Sequence, residues 1–243
     1  MNKKYTLVES NYYTIQDDRK LYQIQAIRDF GNVKNGDFGG YIEKEENLSH
    51  DDSCWISGNA QVFGNAKVYD NAQVFNNAKV YENASVYGDA QVYGNARVFE
   101  NAYIFGNAQV FDNVHIFGNT HIFGNGYVRH NAQVSGNTEV SGNAKVYGDA
   151  NVFGDTCVCG KAIVCGETKI DKTENLLVIG PIGSRNDYTT FAKSNNKAVY
   201  VTCGCFHDTI DEFEKKVLKT YTEDVIYRKQ YISIIECVKT LFN

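Results

Sequence analysis

A parallel β-solenoid closed at its far end by a small α+β module is the fold this sequence predicts, and three observations predict it. From Ile56 to Ile170 every sixth residue is Val or Ile, twenty in succession without an insertion. The residues between them repeat as Phe or Tyr, Gly, Asn, Ala and a variable position. After Asp171 the period stops, and apolar segments give way to two helical patterns. A fixed short period marks stacked units, each too small to bury its own apolar face.

Residues 1–55 come first and break the period. Tyr22 to Ile27 alternates in hydropathy and reads as strand, and Gly36, Gly39 and Gly40 read as a Gly-rich turn. The segment is expected to be a strand-rich cap, because an open solenoid end exposes unpaired backbone groups.

Residues 56–171 make the solenoid. Each Val and the Ala two positions before it point to one side of a short strand. The next two residues turn the chain, with Gly, Asp, Asn, Glu or His first, and Asn or Asp at seventeen of nineteen second positions. These types tolerate left-handed backbone or bond their own backbone. Three strands and three corners close one triangular coil of eighteen residues, so Val62, Val80, Val98 and Ile116 stack and the Asn side chains form corner ladders. The unbroken ladder gives about six coils, a prism roughly 30 Å long at about 4.8 Å per layer.

At these residues the chain resembles the hexapeptide-repeat, left-handed parallel β-helix family. Handedness is what the resemblance implies, since periodicity alone permits either hand. Asp29-Phe30, Gly39-Gly40-Tyr41-Ile42-Glu43, Asn47-Leu48-Ser49 and Cys54-Trp55-Ile56 resemble the leader of uncharacterised bacterial and phage hexapeptide-repeat proteins.

Residues 172–243 form the α+β module. Strand-like segments lie at Leu176 to Ile179 and Ala198 to Cys203. A capping box, Thr209 with Glu212, opens a first helix with Ile210, Phe213, Val217 and Tyr221 on one face. A second helix is expected over Thr222 to Phe242, with Val225, Ile232, Ile235 and Val238 as its buried stripe. Ile179-Gly180-Pro181-Ile182-Gly183-Ser184-Arg185-Asn186-Asp187 and Cys203-Gly204-Cys205-Phe206 resemble a C-terminal module of phage-encoded proteins, which implies a phage or prophage origin. Cys159, Ile163 and Cys165 replace outward Phe/Tyr on the last coils and are read as the surface where this module docks.

A net charge of −5 with pI near 5.6 argues against a nucleic-acid polymer as partner. No apolar stretch resembles a signal peptide or reaches membrane-spanning length, so the chain reads as cytoplasmic, in the host cytoplasm if phage-encoded. Seven cysteines in such a chain read as reduced and mostly buried in apolar surroundings. Neither Cys157-Val158-Cys159 nor Cys203-Gly204-Cys205 has zinc-knuckle spacing, and no metal or cofactor is implied. Gly180 to Arg185 lacks a phosphate-loop Lys and reads as a strand-to-strand turn.

All eleven residues that follow an inward Val from Phe63 through Phe123 are Phe or Tyr. They form three outward rows, one per face: Phe63 to Phe117, Tyr69 to Phe123, and Phe75 to Phe111. Such rows stabilise the layers as cross-strand ring pairs or form a subunit interface. The resemblance implies a trimer of parallel prisms. Between Asn113 and His130 the repeat loosens: Val114, Thr120 and Gly126 replace inward Ala, while His115, His121, Tyr127, Arg129 and His130 appear outside. With Phe117 and Phe123 these outward residues are the candidate ligand-binding belt, in which rings stack a flat ligand and Arg129 holds an anionic group. Successive hexads lie on different faces, so the belt would converge only between subunits.

The resemblance also raises acyl transfer from coenzyme A thioesters, with His115 as the candidate base. Such enzymes usually carry a loop leaving the coil, and none interrupts Ile56 to Ile170. No catalytic residue is assigned. The expectation is therefore a non-catalytic, trimeric, phage-type β-helix protein that binds a small nucleotide-like host ligand; an acyl-coenzyme A transferase and a purely structural phage component are the alternatives.

Overall fold

The computed structural model describes residues 3–223 and 225–242. Its core is a three-faced parallel β-solenoid of two-residue strands with an antiparallel hairpin at one end and an α+β module at the other. Face 1 is a ten-stranded sheet. Two antiparallel strands, β1 (Tyr5–Thr14) and β2 (Lys20–Ala26), lead into β3 (Phe38–Ile42), which starts the parallel stack through Gln61–Val62 and Arg97–Val98 to Lys169–Lys172. Face 2 has six strands, from Lys67–Val68 to Cys157–Val158, and face 3 has seven, from Trp55–Ile56 to Ile163–Val164.

The register is the one the period dictates. Val62 pairs with Val80, Val98 with Ile116, and His115 with Gln133, each eighteen residues apart. All twenty ladder residues are buried, and the inward Ala residues are fully buried beside them. Where Thr replaces Ala at 120, 138 and 156, the hydroxyl donates to the carbonyl of Phe117, Ser135 and Phe153, at 2.6, 2.6 and 2.7 Å. A buried hydroxyl is thus satisfied within its own corner.

Corner chemistry joins the layers. Asn side chains run in ladders, Asn59 to Asn77 at 3.2 Å, Asn77 to Asn95 at 3.2 Å and Asn95 to Asn113 at 2.9 Å. Where the first corner residue is acidic instead of Gly, its carboxylate accepts the next coil's corner amide. Glu82 takes Glu100 N–H at 3.0 Å, Glu100 takes Gly118 N–H at 2.8 Å, and Asp112 takes His130 N–H at 3.1 Å. These charge-assisted bonds offset the left-handed backbone of Glu82, Glu100 and Asp112, at φ 58°, 57° and 63°.

The solenoid has about seven turns, because one coil precedes the unbroken ladder. Ile42 pairs with Val62, Leu48 bridges to Val68, and Ile56 pairs with Val74. Two extra residues between Leu48 and Ile56 hide this coil from a six-residue count. Their irregular backbone is met by Lys4, which is fully buried and donates to the Asp51 and Asp52 carbonyls at 2.9 and 3.3 Å and to Cys54 Sγ at 3.2 Å. Burial lowers the Lys4 pKa. Gly39 and Gly40 lie in β3, not in a turn. A Cβ on Gly39 would come within 2.5 Å of Ile24 Cγ1, and one on Gly40 within 2.6 Å of the Ala60 carbonyl oxygen. Close backbone approach accounts for both glycines.

The C-terminal module is a four-stranded antiparallel sheet, Leu176–Ile182, Asp187–Lys193, Val199–Cys203 and Phe206–Thr209, with two helices. Helix α1 spans Ile210–Thr220, with Thr209 Oγ1 accepting Glu212 N–H; Ile210, Phe213 and Val217 are buried. Helix α2 spans Val225–Leu241, later in start than the sequence suggests. Its buried stripe is Tyr231, Ile235 and Val238; Val225 is half exposed and Ile232 half buried. The ring of Tyr231 outcompetes the smaller Val225 because it packs edge-on against Phe213, at 5.5 Å.

This module docks on the last coil of its own chain. Ile163 N–H donates to Thr190 Oγ1 at 2.9 Å, Lys169 N–H to Ser194 Oγ at 3.0 Å and Asn195 N–H to the Lys169 carbonyl at 3.0 Å. Cys165 is buried against His207 Nδ1 at 3.1 Å and Thr202 Oγ1 at 3.5 Å. Cys159, expected at this contact, is exposed. So are Cys205 and Cys237, against the expectation of buried thiols; all seven cysteines are free. Cys159 follows Val158, at the end of the last face 2 strand. No helix among the described residues is long and apolar enough to cross a membrane.

Candidate functional site

The outward rings form three near-perfect stacks. On face 1, Phe63, Tyr81, Phe99 and Phe117 follow one another at centroid spacings of 5.1, 5.0 and 5.1 Å. On face 2, Tyr69, Tyr87, Phe105 and Phe123 are spaced at 4.8, 4.9 and 4.9 Å. On face 3, Phe75, Tyr93 and Phe111 stand 4.7 and 4.6 Å apart. Each ring therefore hides its faces against its neighbours and turns an edge outward. The edge of an aromatic ring is its electropositive part, so these stripes suit anions and hydrogen-bond acceptors.

The sequence-predicted belt is split among the three faces. His115 and Phe117 lie on face 1, His121 and Phe123 on face 2, and Tyr127, Arg129 and His130 on or beside face 3. His121 stacks on Tyr103 at 5.2 Å. Arg129 is pinched between the rings of Tyr127 and Tyr147, at 5.4 and 5.2 Å, and its buried Nε has no hydrogen-bond partner. His130 stands edge-on to Tyr147 at 6.2 Å. Within one chain, only the last three converge. Coil stacking covers the faces of all but the terminal rings, and Phe117 and Phe123 of the belt each end a stack.

A concavity lies on face 1, where the hairpin tip meets the prism. Ile15, Gln16 and Arg19 from the tip, with Gln61, Phe63, Lys79, Tyr81, Glu82 and Arg97 from the coils, line a cleft of about 490 Å³. Three cations thus meet one carboxylate over the edges of two stacked rings. Lys79, Arg97 and His115 occupy successive rungs of one column, with Gln61 before them and Gln133 after. The Gln61 Oε1 atom is buried without a hydrogen-bond partner. Burial raises the Tyr81 pKa, keeping its hydroxyl a donor. The sequence-predicted belt includes none of the residues lining this cleft, although writing the chain in rows of eighteen puts Lys79 and Arg97 in one column with His115. Arg19 carries no such signal, since its approach depends on how the hairpin folds.

Burial, and then the neighbouring Arg97 charge, lower the His115 pKa. Burial also lowers those of His50 and His207. A depressed histidine stays neutral in the fold while the unfolded chain takes up a proton near the ordinary histidine value of about 6.5. Its stabilisation is present above that pH and is lost as pH falls toward the lower folded value. Thermal melts are expected to drop on acidification through about pH 6.5, and less so in His115→Gln. A melting temperature independent of pH over that window contradicts the assignment.

The two singled-out turns of the C-terminal module meet at one end of its sheet. Asn186 N–H donates to Gly183 O at 3.1 Å, closing a strand-to-strand turn. That turn and Cys203-Gly204-Cys205 frame a pocket of about 130 Å³ against Phe213, Tyr221 and Tyr231. Among the described residues, no cluster of three or more His, Cys, Asp or Glu is placed to hold a metal ion.

Together these features define a hexapeptide-repeat β-solenoid protein. Residues 90–104 match the family model described as the YdcK beta solenoid repeat. No curated protein matches the chain.

Proposed function

We propose that this β-solenoid is a non-catalytic binding protein whose face 1 cleft takes a small nucleotide-like anion, and that it works as a homotrimer. The observation that carries the reading is the convergence of Arg19, Lys79 and Arg97 over the edges of Phe63 and Tyr81. Arginine offers bidentate geometry to phosphate oxygens, Lys a point charge, and ring edges add electropositive surface. Half-buried ring rows on all three faces support association of parallel prisms. The resemblance of both ends to phage hexapeptide-repeat proteins supports a phage or prophage setting, in which the bound molecule is a host signal.

Native mass spectrometry of gently purified protein tests both halves. A trimer carrying a phosphorylated small molecule is the expected spectrum. A monomer that retains nothing, and gives no heat on titration with nucleoside monophosphates or pyrophosphate, would overturn the proposal.

A further inference from the structure

The face 1 stack is interrupted at one rung. Phe117 is followed in its column by Ser135 and then Phe153, eighteen residues apart each time, along the paired strands His115–Ile116, Gln133–Val134 and Asn151–Asp155. Rings one coil apart stand 5.1 Å from each other here. Phe117 and Phe153, two coils apart, are therefore about 10 Å apart at roughly 4.8 Å per layer, with only a hydroxymethyl group between them. That spacing admits one flat ring. Faces 2 and 3 lack this arrangement: Phe123 is followed by Ser141 and Cys159, and Phe111 by Arg129 and Tyr147.

The surroundings of the gap differ from the rest of the column. The corner residues beside it are Gly118, Gly136 and Gly154, whereas Glu82 and Glu100 occupy that column beside the cleft, so the gap is open on that side. Its opposite side carries His115, Gln133 and Asn151. No hydrogen bond among the described residues engages the side chains of those three or of Ser135. The three Thr hydroxyls bonded to the carbonyls of Phe117, Ser135 and Phe153 fix the backbone on these rungs. The gap is thus a slot bounded by two aromatic residues, two side-chain amides and an imidazole.

We infer that this slot takes the planar base of a nucleotide, inserted between Phe117 and Phe153 over Ser135. The inference rests on the function proposed above and names the part of the ligand that the cleft does not hold. Amides present a donor and an acceptor each, which matches the edge of an aminated heterocycle and not a plain hydrocarbon ring. Arg97 pairs with His115 on the next rung toward the cleft, so the phosphate of a base seated in the slot extends toward Arg97 and Lys79. Slot and cleft form one groove along face 1.

Isothermal titration of the full chain with the four common nucleoside monophosphates, and separately with inorganic pyrophosphate, tests this. Wild type should bind at least one monophosphate more tightly than pyrophosphate. Ser135→Phe fills the slot with a ring and should weaken that monophosphate by about tenfold or more, the scale of one base–aromatic stack, while pyrophosphate binding stays unchanged. The same variant should melt higher than wild type, because it completes the column. Phe153→Ala, which removes one wall, should weaken the monophosphate without touching pyrophosphate. Equal monophosphate affinity in wild type and Ser135→Phe overturns the slot and leaves the anion cleft standing. A loss shared equally by pyrophosphate also overturns it. Absence of binding by both probes in wild type removes slot and cleft together.

Discussion

Val98→Asp is expected to abolish cooperative folding of the solenoid, whereas Glu in place of the adjacent Arg97 leaves it folded. Val98 is fully buried between Val80 and Ile116, in a column whose residues are all apolar. A carboxylate there meets no cation or donor, and an unpaired buried charge costs several kcal/mol even after relaxation. That is most of the roughly 5–15 kcal/mol by which domains are stable. The coil cannot escape by slipping one residue, because the exchange would turn Arg97 inward and every later side chain with it. In a linear stack the lesion also separates the coils on either side, since each touches only its neighbours. Arg97 is exposed, and surface changes of this kind usually stay within about 0.5 kcal/mol. Far-UV circular dichroism melts and limited proteolysis of the two variants read the contrast. A Val98→Asp protein that melts with wild type would mean that the column is wet, and the packing described above would be wrong.

The same one-residue contrast explains what was legible in the sequence. Inward and outward positions follow from a period of six, so the coil, the pairing register, the ring rows and the Asn ladders could all be written down before any coordinates. The coil from Ile42 to Ile56 was not legible, because two extra residues break the count and their carbonyls are met by Lys4, some fifty positions away in sequence. Gly39 and Gly40 looked like a turn because glycine serves turns and close approaches alike; only the position of Ile24 and Ala60 distinguishes the two. In α2 the stripe through Val225 and the one through Tyr231 both have helical spacing. The choice between them lies in tertiary packing, where the Tyr231 ring meets Phe213. The belt from Asn113 to His130 divides its residues among three faces, as successive hexads must. The face 1 cleft is not legible for another reason: a third of its lining comes from a hairpin tip whose direction no local pattern encodes.

Arg97→Glu is expected to weaken binding of a nucleoside monophosphate by about 100-fold or more, while folding is preserved. Arg97 stands between Lys79 and His115 in the face 1 column, at the point where cleft and slot join. A guanidinium about 4 Å from a phosphate gains ~4 kcal/mol at the effective dielectric near a protein surface, and solvent exposure reduces this. Reversing the sign replaces that attraction with repulsion and places a second carboxylate beside Glu82. A net loss of ~3 kcal/mol, about 100-fold in affinity, follows even after the discount. Salt sharpens the test, because wild-type affinity should fall as ionic strength rises and the variant's should fall less. Lys79→Glu should show the same salt signature with a smaller loss, since an ammonium makes single rather than paired contacts with phosphate. Titrations at low and high salt on protein of verified circular dichroism read both effects. Unchanged affinity in Arg97→Glu would move the anion off face 1 and turn the search to Arg129, the cation pinched between Tyr127 and Tyr147 on face 3.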